Sequence, residues 1–258
     1  MSDPVSFDRA ADIYDETRAI STDAMERNVL LLVSELRGRG RALEVGVGTG
    51  LLALPLHEAG LEVVGIDVSR PMLAKLVEKA VGRAPFPLVL GDGTRMPFTD
   101  SAFGGAYLRW VLHLVRDWRA LLAEIVRVVR PGGVFVANLG AYGGPRGEIQ
   151  ARFAELSGVA VVPVGLGWGD FDALDGAMVV LGASPRELPP VHEGSDEPLA
   201  EFLRGIAEGR YSWTWDVAEE IRRSTVSRLR GWAEERFGPL DERRPLEHAT
   251  RWRAYDLA

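Results

Sequence analysis

Short apolar runs alternate with helically spaced apolar positions along residues 41 to 139. Ahead of them, residues 23 to 37 carry Met25, Val29, Leu32, Val33 and Leu36 at helical spacing. Arg41 to Gly46 (RALEVG) is a short apolar run ending in glycine, which suits a buried parallel strand. Leu51 to Ala59 reads as a helix stopped by Gly60. Leu61 to Asp67 (LEVVGID) is a second buried strand, ending in an acid. Ser69 is placed to cap the next helix, with Pro71 in its first turn and Met72, Leu73, Leu76, Val77 and Ala80 as its stripe. Phe86 to Leu90 predicts a third strand and Phe103 to Leu108 a fourth. Trp118, Leu121, Leu122, Ile125, Val126 and Val129 mark an amphipathic helix, which Pro131-Gly132-Gly133 ends. Val134 to Leu139 predicts a fifth strand. Parallel strands need helical crossovers, so this alternation implies a doubly wound α/β sheet. Such sheets bind ligands beyond the carboxyl ends of their strands, and the informative residues follow each strand. Residues 140 to 169 differ: 8 glycines in 30 positions predict a loop region around one short helix.

Composition narrows the chemistry. The 258 residues include 30 basic and 37 acidic side chains, a net charge of −7, and 47% are hydrophobic. That is the profile of an ordinary globular protein, long enough for one large domain or two small ones. Without cysteine there is no disulfide framework, thiolate metal site, iron–sulfur cluster or cysteine nucleophile. No apolar run approaches the roughly 20 residues a bilayer needs, and the acidic, polar opening residues do not resemble a signal peptide. These features predict a soluble cytoplasmic protein with no membrane insertion. The acidic balance weighs against a nucleic-acid partner. Lys75 and Lys79 are the only lysines, which reads as a genomic or codon bias. His57, His192 and His248 show no metal-ligand spacing, so no metal is expected.

The strand ends carry the candidate site. The first runs into Glu44-Val-Gly46-Val-Gly48-Thr-Gly50, where alternate glycines permit a tight turn and close approach of a ligand. The following helix offers free N–H groups and a positive dipole end. Asp67, 17 residues after Gly50, can accept two hydrogen bonds from a ribose diol, or can cap the next helix. Asp92, between Gly91 and Gly93, can accept from an adenine amino group, or can serve as a turn residue. The glycine turn and Asp67 together indicate an adenosine-type ligand. His113, just past the fourth strand, is a candidate base or orienting group, or else a packing residue.

In their order and spacing, LEVGVGTG, Asp67, GDGTRMPF and RVVRPGG resemble the class I S-adenosylmethionine-dependent methyltransferases of Rossmann-like fold. The closest flavour is the small-molecule branch that includes ubiquinone/menaquinone-type enzymes, which the opening FDRAADIYDETR also resembles. The likeness is specific over residues 7 to 140. It implies S-adenosyl-L-methionine as cofactor, with Glu44, Gly46, Gly48 and Gly50 under its methionine and ribose parts. Asp67 would take the ribose hydroxyls, Val68 would pack on adenine, and Asp92 with Gly93 would meet the adenine amino group. Arg109 would offer its backbone carbonyl to the methionine amino group, with Tyr14 and Arg18 in a lid at that end. The family's sheet has seven strands, mostly parallel with the last antiparallel. The sixth is expected near Arg186 to His192, after a helix at about 170 to 182, and the seventh at His248 to Leu257.

One methyltransferase domain is therefore expected: lid helices over 1–37, a cofactor core over 41–140, and the second half of the sheet over 141–258. A helical cap is expected at about 197–237, where Asp216-x-x-Glu219 looks like a capping box. Trp110, Tyr142, Trp213 and Trp215 are candidate substrate residues, and Tyr142 is a second candidate base. No Asn/Asp-Pro-Pro-Tyr/Phe-like element follows the fourth strand, so a small-molecule acceptor is expected, on a monomer or homodimer. Two other functions stay open. A nicotinamide-dependent oxidoreductase would need G-x-G-x-x-G, whereas Gly50 is followed by Leu51. A non-catalytic adenosyl-nucleoside-binding sensor or scaffold would carry the same cofactor residues.

Overall fold

The computed structural model describes residues 6–8, 11–12, 14–17, 21–195, 197–243 and 246–258. Seven strands form one sheet in the order β3-β2-β1-β4-β5-β9-β6. They are β1 (Ala42–Val45), β2 (Val63–Asp67), β3 (Leu88–Leu90), β4 (Phe103–Arg109), β5 (Val129–Asn138), β6 (Ala183–Glu187) and β9 (Trp252–Leu257). The pairings from β3 to β5 are parallel, and β9 runs antiparallel to both its neighbours. The expected seven-stranded, doubly wound architecture is what forms.

Alternation along each strand divides the core between the two faces. Leu43, Val45, Leu108, Phe135, Ala137 and Tyr255 pack with α5 (Trp118–Val128) and α7 (Phe171–Val180). Ala42, Tyr107, Val134, Val136, Trp252 and Ala254 pack with α2 (Thr22–Leu36), α3 (Ala53–Glu58) and α4 (Arg70–Lys79). The buried Trp252 indole N–H donates to Asn28 Oδ1 at 2.8 Å, tying the antiparallel strand to α2. Ser69 caps α4 as expected, accepting from the Met72 amide at 3.2 Å.

A third core lies off the sheet. Ile149 and Phe153 of α6 (Gly144–Ser157), Leu203 and Ile206 of α8 (Leu199–Glu208), and Leu229 and Ala233 of α9 (Glu219–Phe237) pack together. The short helix read into residues 140–169 is the 14-residue α6, and it belongs to the cap.

Several boundaries differ from the expectations. The region expected as one sixth strand, Arg186 to His192, spans the end of β6 and the start of β7 (Val191–Ser195). The expected seventh strand likewise contains two, β8 (Leu246–Thr250) and β9. β7 and β8 pair antiparallel as a separate two-stranded sheet. α9 starts at Glu219 with Ala218 in the N-cap position and no side-chain cap, so Asp216 does not form the expected capping box. Pro131-Gly132-Gly133 does not separate helix from strand: α5 ends at Val128, Val129 already pairs with Phe103, and residues 130–132 bulge outward. Among the described residues no helix is long and apolar enough to cross a membrane.

Candidate cofactor and acceptor site

The loop between β1 and α3 turns on three glycines with positive φ, Gly46 at 73°, Gly48 at 52° and Gly50 at 79°. A Cβ at Gly46 would stand 2.5 Å from Val111 Cγ2, and one at Gly50 would stand 2.9 Å from Leu76 Cγ. Conformation and space both require glycine there. Gly46 and Val47 donate their amides to Ile66 O at 2.8 and 3.1 Å, which lays the loop across the end of β2.

Asp67 closes that end. Its carboxylate accepts the Gly48 amide at 2.8 Å through one oxygen and the Ser69 amide at 2.8 Å through the other. Burial pushes its pKa up, against these amides. Asp67 thus braces the turn leading into α4, and it also lines a cleft of about 840 Å³. A carboxylate has about four lone-pair sites, more than these two amides fill.

Gly46, Gly48, Asp67, Val68, Asp92, Gly93, Arg109 and Tyr14 all line this cleft. Asp92 spends Oδ1 on the Thr94 amide and hydroxyl, both at 2.8 Å, while Oδ2 has no partner among the described residues. Val68 is 37% exposed, an apolar face turned to the cleft. The Arg109 guanidinium lies 5.0 Å from the Trp110 ring centroid. Trp110 itself takes φ 61°, an uncommon conformation for a bulky residue, with its amide donating to Asn138 O at 3.2 Å.

Glu44 and Gly50 do not line the cleft. Glu44 is buried beneath it and accepts the Tyr107 hydroxyl at 2.9 Å and the Ala53 amide. Arg18 lies outside the described residues. The N-terminal segment crosses the cleft, with Phe7 and Tyr14 in its lining and their rings 5.5 Å apart, edge to face.

His113, Trp213 and Trp215 line a second cavity of about 440 Å³, which shares Leu114, Val164 and Asp216 with the cleft. Trp110, His113, Tyr142 and Trp213 meet at a small crevice of about 20 Å³ beside it. The Trp110 and Tyr142 rings touch edge to face at 5.9 Å. Among the described residues no cluster of His, Cys, Asp or Glu is placed to hold a metal ion.

Comparison with known proteins decides the family. A family described as "Methyltransferase domain" matches residues 43–137. A phosphatidylethanolamine N-methyltransferase of Cereibacter sphaeroides is 33% identical over 174 residues, 64% of this chain and 79% of that one. The chain belongs to the S-adenosylmethionine-dependent methyltransferases. A demethylmenaquinone methyltransferase of Renibacterium salmoninarum is 35% identical over 133 residues, 50% of this chain, and the match spans 55% of that relative. The chain thus covers little more than half the length of the menaquinone-type relatives it matches. The solved YcgJ protein from Bacillus subtilis shares the fold at a TM-score of 0.61 and 15% identity, over 91% of this chain and 98% of that one.

The methyltransferase cofactor fits the cleft chemically. Gly46, where a Cβ has no room, and Gly48 leave the loop backbone open to close approach, and an unpartnered carboxylate oxygen of Asp92 and an exposed Val68 face the same space. Sequence reasoning missed Phe7, Asp8, Trp168 and Asp216. Phe7 and Asp8 stood in the opening stretch already singled out. Asp216 matched a capping signature, which hid its place at the junction of the two cavities.

Proposed function

We propose that this methyltransferase moves the methyl group of S-adenosyl-L-methionine to a small-molecule acceptor, bound in the cavity beside the cofactor cleft. One observation carries this reading: the cleft between the glycine loop, Asp67 and Asp92 adjoins a second cavity, the two sharing Leu114, Val164 and Asp216 in their linings. The bound cofactor would supply an already activated sulfonium methyl, so the protein's task is orientation and exclusion of water.

In this reading Asp67 takes the ribose hydroxyls, Asp92 Oδ2 takes the adenine amino group and Val68 packs on the adenine face. The Arg109 backbone carbonyl, Tyr14 and Arg18 serve the methionine end. Glu44 supports the loop from below through the Ala53 amide, leaving the direct contacts to Gly46 and Gly48. Phe7 and Tyr14 cover the cleft, and Trp215 packs on Phe7 at 4.8 Å, so lid and cap meet over the site. His113, on the acceptor side, is the group that accepts a proton when the acceptor nucleophile carries one.

The relatives bear the names demethylmenaquinone methyltransferase and phosphatidylethanolamine N-methyltransferase, which supports an organic acceptor rather than a nucleic acid. The net charge of −7 supports the same class over nucleic acid. The same reading places the protein in the cytoplasm, as a monomer or homodimer.

The test is His113→Ala, assayed by S-adenosylhomocysteine release over a metabolite panel. Turnover is expected to fall about 10²–10⁴-fold, the usual contribution of general acid–base catalysis, with cofactor affinity nearly intact. Unchanged turnover would reduce the histidine to packing. Cofactor binding without turnover on any compound would favour a sensor.

A further inference from the structure

The second cavity has walls of distinct chemistry. One wall is made by Val159, Ala160, Val162, Pro163 and Val164, of which Val162 is 70% exposed and Val164 38%. Apolar side chains held open to a cavity mark a surface that an apolar partner covers. Trp168, Trp213 and Trp215 supply three indoles. Two of these are pinned. Trp215 donates its N–H to Gly209 O at 3.0 Å, and Trp213 stacks on Tyr211 with rings 6.0 Å apart. The Trp213 indole N–H is buried and has no acceptor among the described residues.

Apart from the titratable His113, the charges on this lining have one sign: Asp8 and Asp216, both exposed, with no lysine or arginine among the described residues. Asp216 makes no hydrogen bond or ion pair with any described residue. Arg222, six residues on, turns its guanidinium to the carbonyl oxygens of Ala207, Thr214 and Val217 and makes no ion pair with Asp216. Asp8 uses Oδ1 for the Ser6 and Ser69 hydroxyls, which hold its pKa below the usual carboxylate value and keep it ionised. Asp216 lines both this cavity and the cofactor cleft.

We infer that the acceptor is an apolar, ring-bearing amine, its rings among the three tryptophans and the valine wall and its ammonium group at Asp216 and Asp8. The inference rests on the methyl-transfer reading of the adjoining cleft. Indole faces attract cations, and carboxylates add charge-assisted hydrogen bonds. An organic anion meets two like charges in the same space, and a neutral alcohol can donate a hydrogen bond to a carboxylate but brings no charge.

Calorimetry on the full chain saturated with S-adenosylhomocysteine tests this with three probes that share one ring system: 1-naphthylmethylamine, 1-naphthylmethanol and 1-naphthylacetate. The amine is expected to bind about tenfold more tightly than the alcohol, and the acetate most weakly. Asp216→Asn is expected to bring the amine down to the alcohol's affinity and leave the alcohol unchanged. Equal affinity of wild-type protein for amine and alcohol, tighter binding of the acetate, or no heat from any probe would overturn the inference while the methyltransferase reading stands. Absence of heat from S-adenosylhomocysteine itself would remove that reading, and the inference with it.

Discussion

Glu44 is 4% exposed and lies under the glycine loop, with the Tyr107 hydroxyl donating to it at 2.9 Å. Burial raises its pKa from 4.5 to about 8; the Tyr107 hydrogen bond and Arg109 oppose the rise, and the negative charge of Asp67 adds to it. Between those two values the folded chain keeps a proton that the unfolded chain has released. The stability from this group is therefore complete below pH 4.5 and drains away as pH rises towards 8, at about 1.4 kcal/mol per unit. Glu44→Gln keeps an acceptor for Tyr107 and cannot ionise. Urea unfolding of this variant is expected to depend less on pH across that window and to show greater stability than wild type at pH 8; coincident curves would contradict the assignment. At this scale the sequence was informative where a side chain has one local role. Gly46 and Gly50 had to be glycine, because positive φ and close neighbours combine there, while Gly48 is favoured by its φ of 52°. Asp216 was not legible: a capping signature predicts a local hydrogen bond, whereas cavity lining depends on distant chain.

The chain's only two lysines share α4 and both reach the N-terminal lid. Lys75 pairs with Asp12 at 2.9 Å and Lys79 with Asp15 at 2.7 Å, while the other oxygen of Asp15 accepts the Thr49 hydroxyl of the glycine loop at 2.5 Å. The two lysines thus form a pair of ties between α4 and the segment of α1 (Tyr14–Thr17). Exposed pairs contribute little to global stability and are screened by salt. Lys75→Ala combined with Lys79→Ala is expected to hasten proteolysis before Thr22 and weaken S-adenosylhomocysteine binding by about two- to fivefold, with melting temperature nearly unchanged. Unaltered proteolysis and affinity would show that the ties do not hold the lid. Among the elements, β1 and β2 were legible because buried parallel strands are near-continuous apolar runs. β6 was not: Ala-Ser-Pro-Arg-Glu is an edge strand, polar and proline-bearing, and it forms because β9 offers it a partner. β5 began early because Val129 finds a pairing with Phe103 before the Pro-Gly-Gly bulge.

Across the whole molecule, two apolar layers clamp the sheet and a third core binds α6, α8 and α9 into the cap. The sheet was readable from local periodicity. The cap's packing and the β7–β8 pairing were not, since they join segments some 55 residues apart, as Val191 with Thr250 and Ser195 with Leu246. This architecture sets the carboxyl ends of β1, β2 and β4 against a cleft that lid and cap enclose. The central claim is that this cleft holds the methyl donor's nucleoside through Asp67. Titration calorimetry with S-adenosylhomocysteine, on wild type and on Asp67→Ala, tests it most directly. Wild type is expected to bind it more tightly than NADH, and the variant to lose about 1–3 kcal/mol of that affinity. No heat of binding, tighter NADH binding, or an unchanged dissociation constant in the variant would contradict the account.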